Sequence, residues 1–425
     1  MCVHSSRGGR SVGKRFLVTH PKWVGREKSA FYGVPAIDSA TPERDYVRTK
    51  SPVQQPATTR APAGAASQPE STNAMSHDRS GNYFEDFRPG MRIRHATPRT
   101  LTEGDRSLYI ALTGSRSALG TAQTAAGQLG LAHWPLEDLL VFNTAFGKTV
   151  PDISLNAVAN LGYADVRFLL PVHAGDTIAV ESEVIGVKEN SNGRSGVVYV
   201  RSNASNQRGQ PVLSWIRWVM VHKRDANARC GAPVVPDLPA AVALGDLRFD
   251  GYAEEAVGQI ETVTCRSERW GDYAAGERID HPGAMTVNES DHSMATRLYQ
   301  NTARAHFDGF AAAARNTQRL VYGGHVMSIC KALAYDGLEN ALSILAINGG
   351  THVNPTFAGD TIACATQVVE RIDLGVPHLG ALWLRMIGVK NATSASVVFP
   401  DRREARAAHP ANVVLDLDYV IAMPR

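Results

Sequence analysis

A chain of 425 residues, 44% hydrophobic and 20% charged, is too long for one small core and suits two domains of ordinary size. It has no apolar run near the length a bilayer demands, so a soluble protein with no membrane partner is expected. The net charge of +3 belongs to residues 1–74, which hold 11 Lys and Arg against 5 Asp and Glu; residues 75–425 hold 33 against 36, which gives no electrostatic case for nucleic acid.

The five cysteines (Cys2, Cys230, Cys265, Cys330, Cys364) are scattered and never form C-x-x-C, a pattern that neither staples a secreted fold nor holds zinc. A reducing cytoplasm is the expected location. There is no G-x-G-x-x-G, Walker sequence, H-E-x-x-H or G-x-S-x-G, so neither a metal nor a nucleotide cofactor is called for.

In chain order, residues 1–74 come first and show no sustained hydrophobic period; Ser51–Ala74 is dominated by Pro, Ala, Thr, Ser and Gln. Such a segment cannot bury enough apolar surface to offset its ordering entropy, so a disordered extension is expected. An Arg-containing, acid-poor start is a feature of transit peptides, but the acidic residues from Glu27 onward and the lack of an amphipathic helix count against one. Met75 opens MSHDRSGNYFEDF, which reads as a natural start, so an upstream misassigned start is the simpler expectation.

From Gly81 onward the chain repeats itself. Asp86–Ser115 laid over Asp272–Asn301, an ungapped shift of 186, gives ten identities in thirty positions, among them Gly90/Gly276, His95/His281, Glu103/Glu289 and Asp105/Asp291. PVHAGDTIA (Pro171–Ala179) matches PTFAGDTIA (Pro355–Ala363) at a shift of 184. Two copies of one domain are implied, over 75–224 and 246–425, joined by a Pro/Ala-rich connection at 225–245.

Each copy opens with a short strand ending at Thr100 or Thr286. A helix follows, started by Thr102-x-x-Asp105 or Asn288-x-x-Asp291, both capping-box patterns with Asp for Glu. A second helix is clearest in the second copy, where Val326, Ile329, Cys330, Leu333 and Ala334 share a face; Pro151 interrupts the equivalent segment of the first. Strands with period-two alternation follow at Ile178–Val187, Val197–Ser202 and Val212–Val221, then at Ile362–Val369, Ala381–Val389 and Val413–Ile421. In the last, Leu415, Leu417, Tyr419 and Ile421 lie opposite Asp416 and Asp418, which predicts an antiparallel sheet with one dry face. The fold class is α+β: a curved antiparallel sheet wrapped around one helix, twice over.

VRFLLPVHAGDTI (Val166–Ile178) and THVNPTFAGDTI (Thr351–Ile362) resemble the strand–turn–strand signature of hot-dog proteins. The whole of Gly81–Arg425 resembles a double hot-dog member of the MaoC-like dehydratase family. Hydratases of that family resemble one another in a loop reading roughly G-D-x-N-P-x-H, whose acid and His hold the reacting water. Here Asn301-Thr302-Ala303-Arg304-Ala305-His306 supplies the His and puts Asn301 in the acid's place, whereas Ser115–Gly120 has neither group. The resemblance implies His306 and Asn301 as the catalytic pair and a first copy that is degenerate and non-catalytic. Gly323 and Gly324 stand just before a helix expected to start near His325. They resemble the family's oxyanion hole, where free N–H groups and the helix dipole meet a thioester oxygen.

Adding water across an enoyl thioester requires a base for the water, an acid for the α-carbon and a donor for the carbonyl oxygen. His306 can do the proton work near neutrality. Asn301 can orient the water but cannot accept a proton. Either His306 serves as both base and acid, or a neighbouring carboxylate such as Asp291 or Asp308 completes the pair.

The resemblance thus implies a cofactor-independent hydro-lyase with an acyl-CoA substrate, interconverting (2R,3S)-β-methylmalyl-CoA and mesaconyl-CoA in a C5-acyl-CoA route such as the ethylmalonyl-CoA pathway. The free carboxylate of such a substrate calls for a cationic or amide partner, for which Arg297, Arg304, Arg319 and His352 are the candidates. Two alternatives stay open: another (R)-specific enoyl-CoA hydratase, and a non-catalytic acyl-CoA-binding protein that lost its acid at Asn301. Plainer readings stand beside these. A lone loop His is commonly solvated or a cap, a glycine pair is commonly a turn, and His325 and His352 can be ordinary core or supporting histidines. Asp291, Glu289 and His281 recur in the first copy, which favours architecture over chemistry. A homo-oligomer is the one macromolecular association anticipated.

Overall fold

The computed structural model describes residues 80–229, 231–249, 251–400 and 409–425. The expectations for residues 1–74 lie outside that set. The first copy runs β1 (Arg92–Thr100), α1 (Glu103–Thr113), α2 (Ala118–Thr121), α3 (Gln123–Gln128), α4 (Asp138–Thr149), β2 (Ala157–Phe168), β3 (Thr177–Glu189), β4 (Ser195–Ser205) and β5 (Pro211–His222). After α5 (Glu254–Val257) and α6 (Ile260–Thr264) come β6 (Arg278–Asp280), β7 (Met285–Thr286), α7 (Glu289–Leu298), α8 (Arg304–Phe307), α9 (Gly309–Ala313), α10 (Gly323–Leu333), β8 (Ile344–His352), β9 (Thr361–Asp373), β10 (Leu379–Lys390) and β11 (Val413–Pro424). Among the described residues no helix is long and apolar enough to cross a membrane.

Positions that match between the copies make matching bonds. Gly90 and Gly276 both turn with positive φ (82° and 86°), a conformation that suits a residue without a Cβ. His95 Nε2 lies 2.7 Å from Ser182 Oγ, and His281 Nε2 lies 2.8 Å from Thr366 Oγ1. Thr102 caps α1: its hydroxyl accepts from the Asp105 N–H while the Asp105 carboxylate accepts from the Thr102 N–H. The second helix start departs from that pattern, because Asn288 donates its side-chain amide to Asp291 and caps no backbone N–H.

The strands form one antiparallel sheet in the order β1-β3-β4-β5-β2-β8-β11-β10-β9-β6, with β7 pairing β9 to the side. The copies are zipped together by β2 and β8, where Ala164 faces Gly349 and Tyr163 faces Gly350. Alternation does not reveal these two strands over their full length, since burial reaches both faces of each and erases the period of two. α4 and α10 pack on each other inside the curve of the sheet. The expected face of α10 is buried except at Leu333, which is partly so, and Met327 and Ser328 on the other side are buried too, because α4 covers it. Pro151 does not interrupt α4. It falls in a wider helical turn, Val150–Ser154, that follows the helix. On β11 the expected dry face holds, yet Val420 and Ala422 are buried too, against Leu129, Val257 and Ile260, so that both faces are dry near the C-terminus.

Candidate active site

The segment that follows α7 is held by the first copy. Gln300 takes a left-handed φ of 52° and its side-chain oxygen accepts from Lys148 at the end of α4. Asn301, 2% exposed, comes next. Its Oδ1 accepts from the Ala303 N–H at 3.1 Å, which leaves the Nδ2 amide as the end that can meet a ligand. One turn on, α8 carries His306, whose Nδ1 lies 2.9 Å from the Leu320 carbonyl. A carbonyl only accepts, so Nδ1 carries the proton and Nε2 keeps its lone pair. Burial pushes this imidazole down to about 4, so it is neutral at physiological pH.

Asn301 and His306 share a cavity of about 520 Å³ with Gly323, Tyr322 and His352, while Phe146, Ser154–Asn160 and Arg217 supply the opposite wall from the first copy. No Asp or Glu among the described residues lines it. That excludes both carboxylates considered as helpers. Asp291 is bonded to Asn288 and Ser290, which hold its carboxyl below the usual range, and Asp308 caps α9 by accepting from the Ala311 N–H.

The glycine pair lies inside α10 rather than before it, since the helix begins at Gly323 with Tyr322 as its cap. The two glycines have different surroundings. Gly323 lines the cavity and presses on His352, where an added Cβ would stand 2.5 Å from the ring; Gly324 faces Asn143 of α4, whose Oδ1 would be 2.0 Å from such an atom. As the first residues of a helix, both have N–H groups without intrahelical acceptors. His352 is tied across the copies by a 2.8 Å contact between its Nε2 and the Tyr163 hydroxyl. His325 is not in the cavity: it is fully buried in the core near Tyr299, and burial pushes it down to about 4.

Of the proposed cationic contacts, Arg304 lines the cavity at an exposed position, joined there by exposed Arg315. Arg319 is elsewhere. Its guanidinium donates to Glu289 and to Ser293 Oγ, so it is committed to α7 and does not reach the cavity. Arg297 lies on the exposed side of α7, also outside it.

Arg217 on β5 was not anticipated. It exposes none of its surface, and burial lowers it to about 10. A signal was present in the sequence: in PVLSWIRWVMV, Arg217 keeps step with Leu213, Trp215, Val219 and Val221, a lone cation on the inward face of an apolar strand.

A second cavity, of about 360 Å³, lies where the first copy's counterpart is expected, lined by Ser117 and Gly120 and by Glu137 and Asp138 at the start of α4. Asp138 therefore stands at the first helical position, where α10 has Gly323, with Glu137 at the cap. Glu137 accepts from Ser115 and Ser117, and burial pushes Asp138 up to about 7. The loop Ser115–Gly120 beside it has neither the His nor the Asn of the second copy.

Comparison with known proteins gives the family. The chain is 48% identical over 346 residues to a mesaconyl-CoA hydratase of Cereibacter sphaeroides, covering 81% of this chain and 99% of the relative. It is 48% identical over 347 residues to a β-methylmalyl-CoA dehydratase of Chloroflexus aurantiacus, covering 81% and 97%. Among solved structures, a MaoC domain dehydratase of Chloroflexus aurantiacus superposes with a TM-score of 0.76 at 47% identity, over 82% of this chain and 99% of that one. A double hot-dog protein of Mycobacterium tuberculosis shares the fold, with a TM-score of 0.66 at 24% identity over 81% of this chain and 99% of that one. The mesaconyl-CoA hydratase family model matches residues 70–405, and with relatives at this level of identity over nearly their whole length, the chain belongs to the mesaconyl-CoA hydratase family.

Proposed function

We propose that this chain reversibly adds water to mesaconyl-CoA to give β-methylmalyl-CoA, as a hydro-lyase with one working site per chain built around His306. The observation that carries the reading is an imidazole, its Nδ1 2.9 Å from the Leu320 carbonyl, in a cavity that also holds Asn301 and the start of α10 and no described carboxylate. The two curated relatives, named for these two compounds, supply the substrate.

In the hydration direction, His306 Nε2 removes a proton from water as the oxygen bonds to the β-carbon. The Asn301 amide donates to that oxygen and fixes its approach. Electron density moves through the α-carbon onto the thioester oxygen, which accepts from the N–H groups at the start of α10, where the helix dipole favours negative charge. The imidazolium then returns its proton to the α-carbon, so one residue acts as base and then as acid and no carboxyl group is required. Arg304 and Arg315 at the exposed rim suit the phosphates of the CoA moiety. The first copy contributes a wall rather than a catalyst, and a cytoplasmic C5-acyl-CoA route is the setting we infer.

The test is to incubate the full chain with mesaconyl-CoA and follow loss of the conjugated enoyl-thioester absorbance, with the product mass read for gain of one water. Preferred hydration of mesaconyl-CoA supports the reading. Faster hydration of an unbranched enoyl-CoA moves it to the broader hydratase, and binding without turnover moves it to the acyl-CoA-binding protein.

A further inference from the structure

The cavity holds a charge that no described carboxylate balances. Arg217 Nη2 donates to Thr149 Oγ1 at 2.9 Å and Nη1 to Ser154 Oγ at 3.4 Å, while Nε has no partner among the described residues. Its guanidinium carbon sits 4.2 Å from the centre of the Phe146 ring. No described Asp or Glu forms an ion pair with it, and none lines the cavity. Two hydroxyls and an aromatic face do not offset the desolvation of a buried guanidinium, which is normally retained only against an anion. The same wall holds Asn160, with both side-chain amide atoms buried and unpartnered, and across the cavity stands Tyr322, whose hydroxyl is likewise unpartnered among the described residues. Arg217 and Asn160 on one side and Tyr322 on the other thus bring unsatisfied polar atoms into one cavity whose described lining holds no Asp or Glu.

Both proposed reactants carry a free carboxylate besides the thioester. Resting on the hydratase reading above, we propose that Arg217 is the specificity-determining residue of the site. It receives the substrate's free carboxylate in its guanidinium fork, with Asn160 beside it, so that the first copy selects the acyl group on which the second copy acts. The 3.4 Å contact to Ser154 is the weakest that Arg217 makes, and an incoming carboxylate exchanges it for a charge-assisted bond. A planar fork fits a carboxylate in a way that a lysine ammonium does not.

The test compares mesaconyl-CoA with tiglyl-CoA, which keeps the branched double bond and replaces the free carboxylate by a methyl group. The full chain is assayed as wild type, Arg217→Met and Arg217→Lys. Wild type is expected to favour mesaconyl-CoA strongly. In Arg217→Met, kcat/KM for mesaconyl-CoA should fall by at least about a hundred-fold, as for loss of one partner of a buried charge pair, while tiglyl-CoA changes by less than about three-fold. If Arg217→Met does not fold, Arg217→Lys carries the test, with a loss of at least about ten-fold expected on mesaconyl-CoA relative to tiglyl-CoA. Parallel losses on both esters, or no loss on mesaconyl-CoA, overturn the assignment and leave Arg217 a structural residue. A wild type that hydrates both esters equally overturns the Arg217 assignment alone. A wild type that hydrates neither overturns the hydratase reading and the assignment with it.

Discussion

The Cα of Gly147 in α4 lies against the carbonyl oxygen of Tyr299, so close that an added Cβ would stand 1.9 Å from it. A helix of the first copy therefore sets the position of the chain two residues before Asn301. Gly147→Ala is expected to lower the melting temperature and to cut turnover by at least about ten-fold, although alanine favours helix by about 1 kcal/mol. Gly127→Ala in α3, where nothing lies within 4 Å of the added atom, is the control and should leave both unchanged or raise stability slightly. Thermal unfolding and initial rates on the two variants check this.

The two glycines of α10 should separate. Gly324→Ala drives a methyl into Asn143 Oδ1 and the Tyr322 ring, so its main expected effect is lost stability, on the order of 1–3 kcal/mol as for other overpacked cores. Gly323→Ala meets the ring of His352 at the cavity wall and should lower kcat more than it lowers the melting temperature. Equal losses of activity and stability in both variants would contradict this division.

Burial holds His306 at about 4, below the ordinary histidine value of 6.5, so the base stays unprotonated through the neutral range. The acid limb of the kcat/KM profile for mesaconyl-CoA should therefore bend near pH 4. A midpoint near 6.5 in that profile would show a solvated histidine at the reacting water.

His325 gives a stability prediction of definite sign. Folded, it titrates at about 4; unfolded, it titrates near the ordinary 6.5, so the unfolded state binds more protons between these values. Its contribution is fully present above pH 6.5 and is lost as pH falls toward 4, by roughly 3 kcal/mol at 1.36 kcal/mol per unit. His325→Leu should flatten the fall in unfolding free energy between pH 7 and pH 5, measured by urea denaturation at the two values.

Much of this was legible from residue patterns. The repeat, the alternating strands and the Thr102 cap are local features, and His306 and Asn301 were visible as a spaced pair in one copy only. Part of what was lost depended on the other copy. β2 and β8 hid because they are covered on both faces, and the glycine pair was set outside its helix because helix starts shift by a residue or two. Arg319 was counted for the cavity because sequence does not show that Glu289, thirty residues earlier, binds it first. Arg217 was passed over because its significance lies in what surrounds it: an apolar strand face of the first copy turned toward a cavity formed with the second.

The most direct measurement is the initial rate of mesaconyl-CoA hydration by the wild-type chain beside His306→Ala, with circular dichroism confirming that both are folded. The account predicts rapid hydration by the wild type and a fall in kcat of about 10³-fold or more in the variant, the size expected when a general base is removed. A folded His306→Ala protein that keeps kcat within about three-fold of wild type would contradict it.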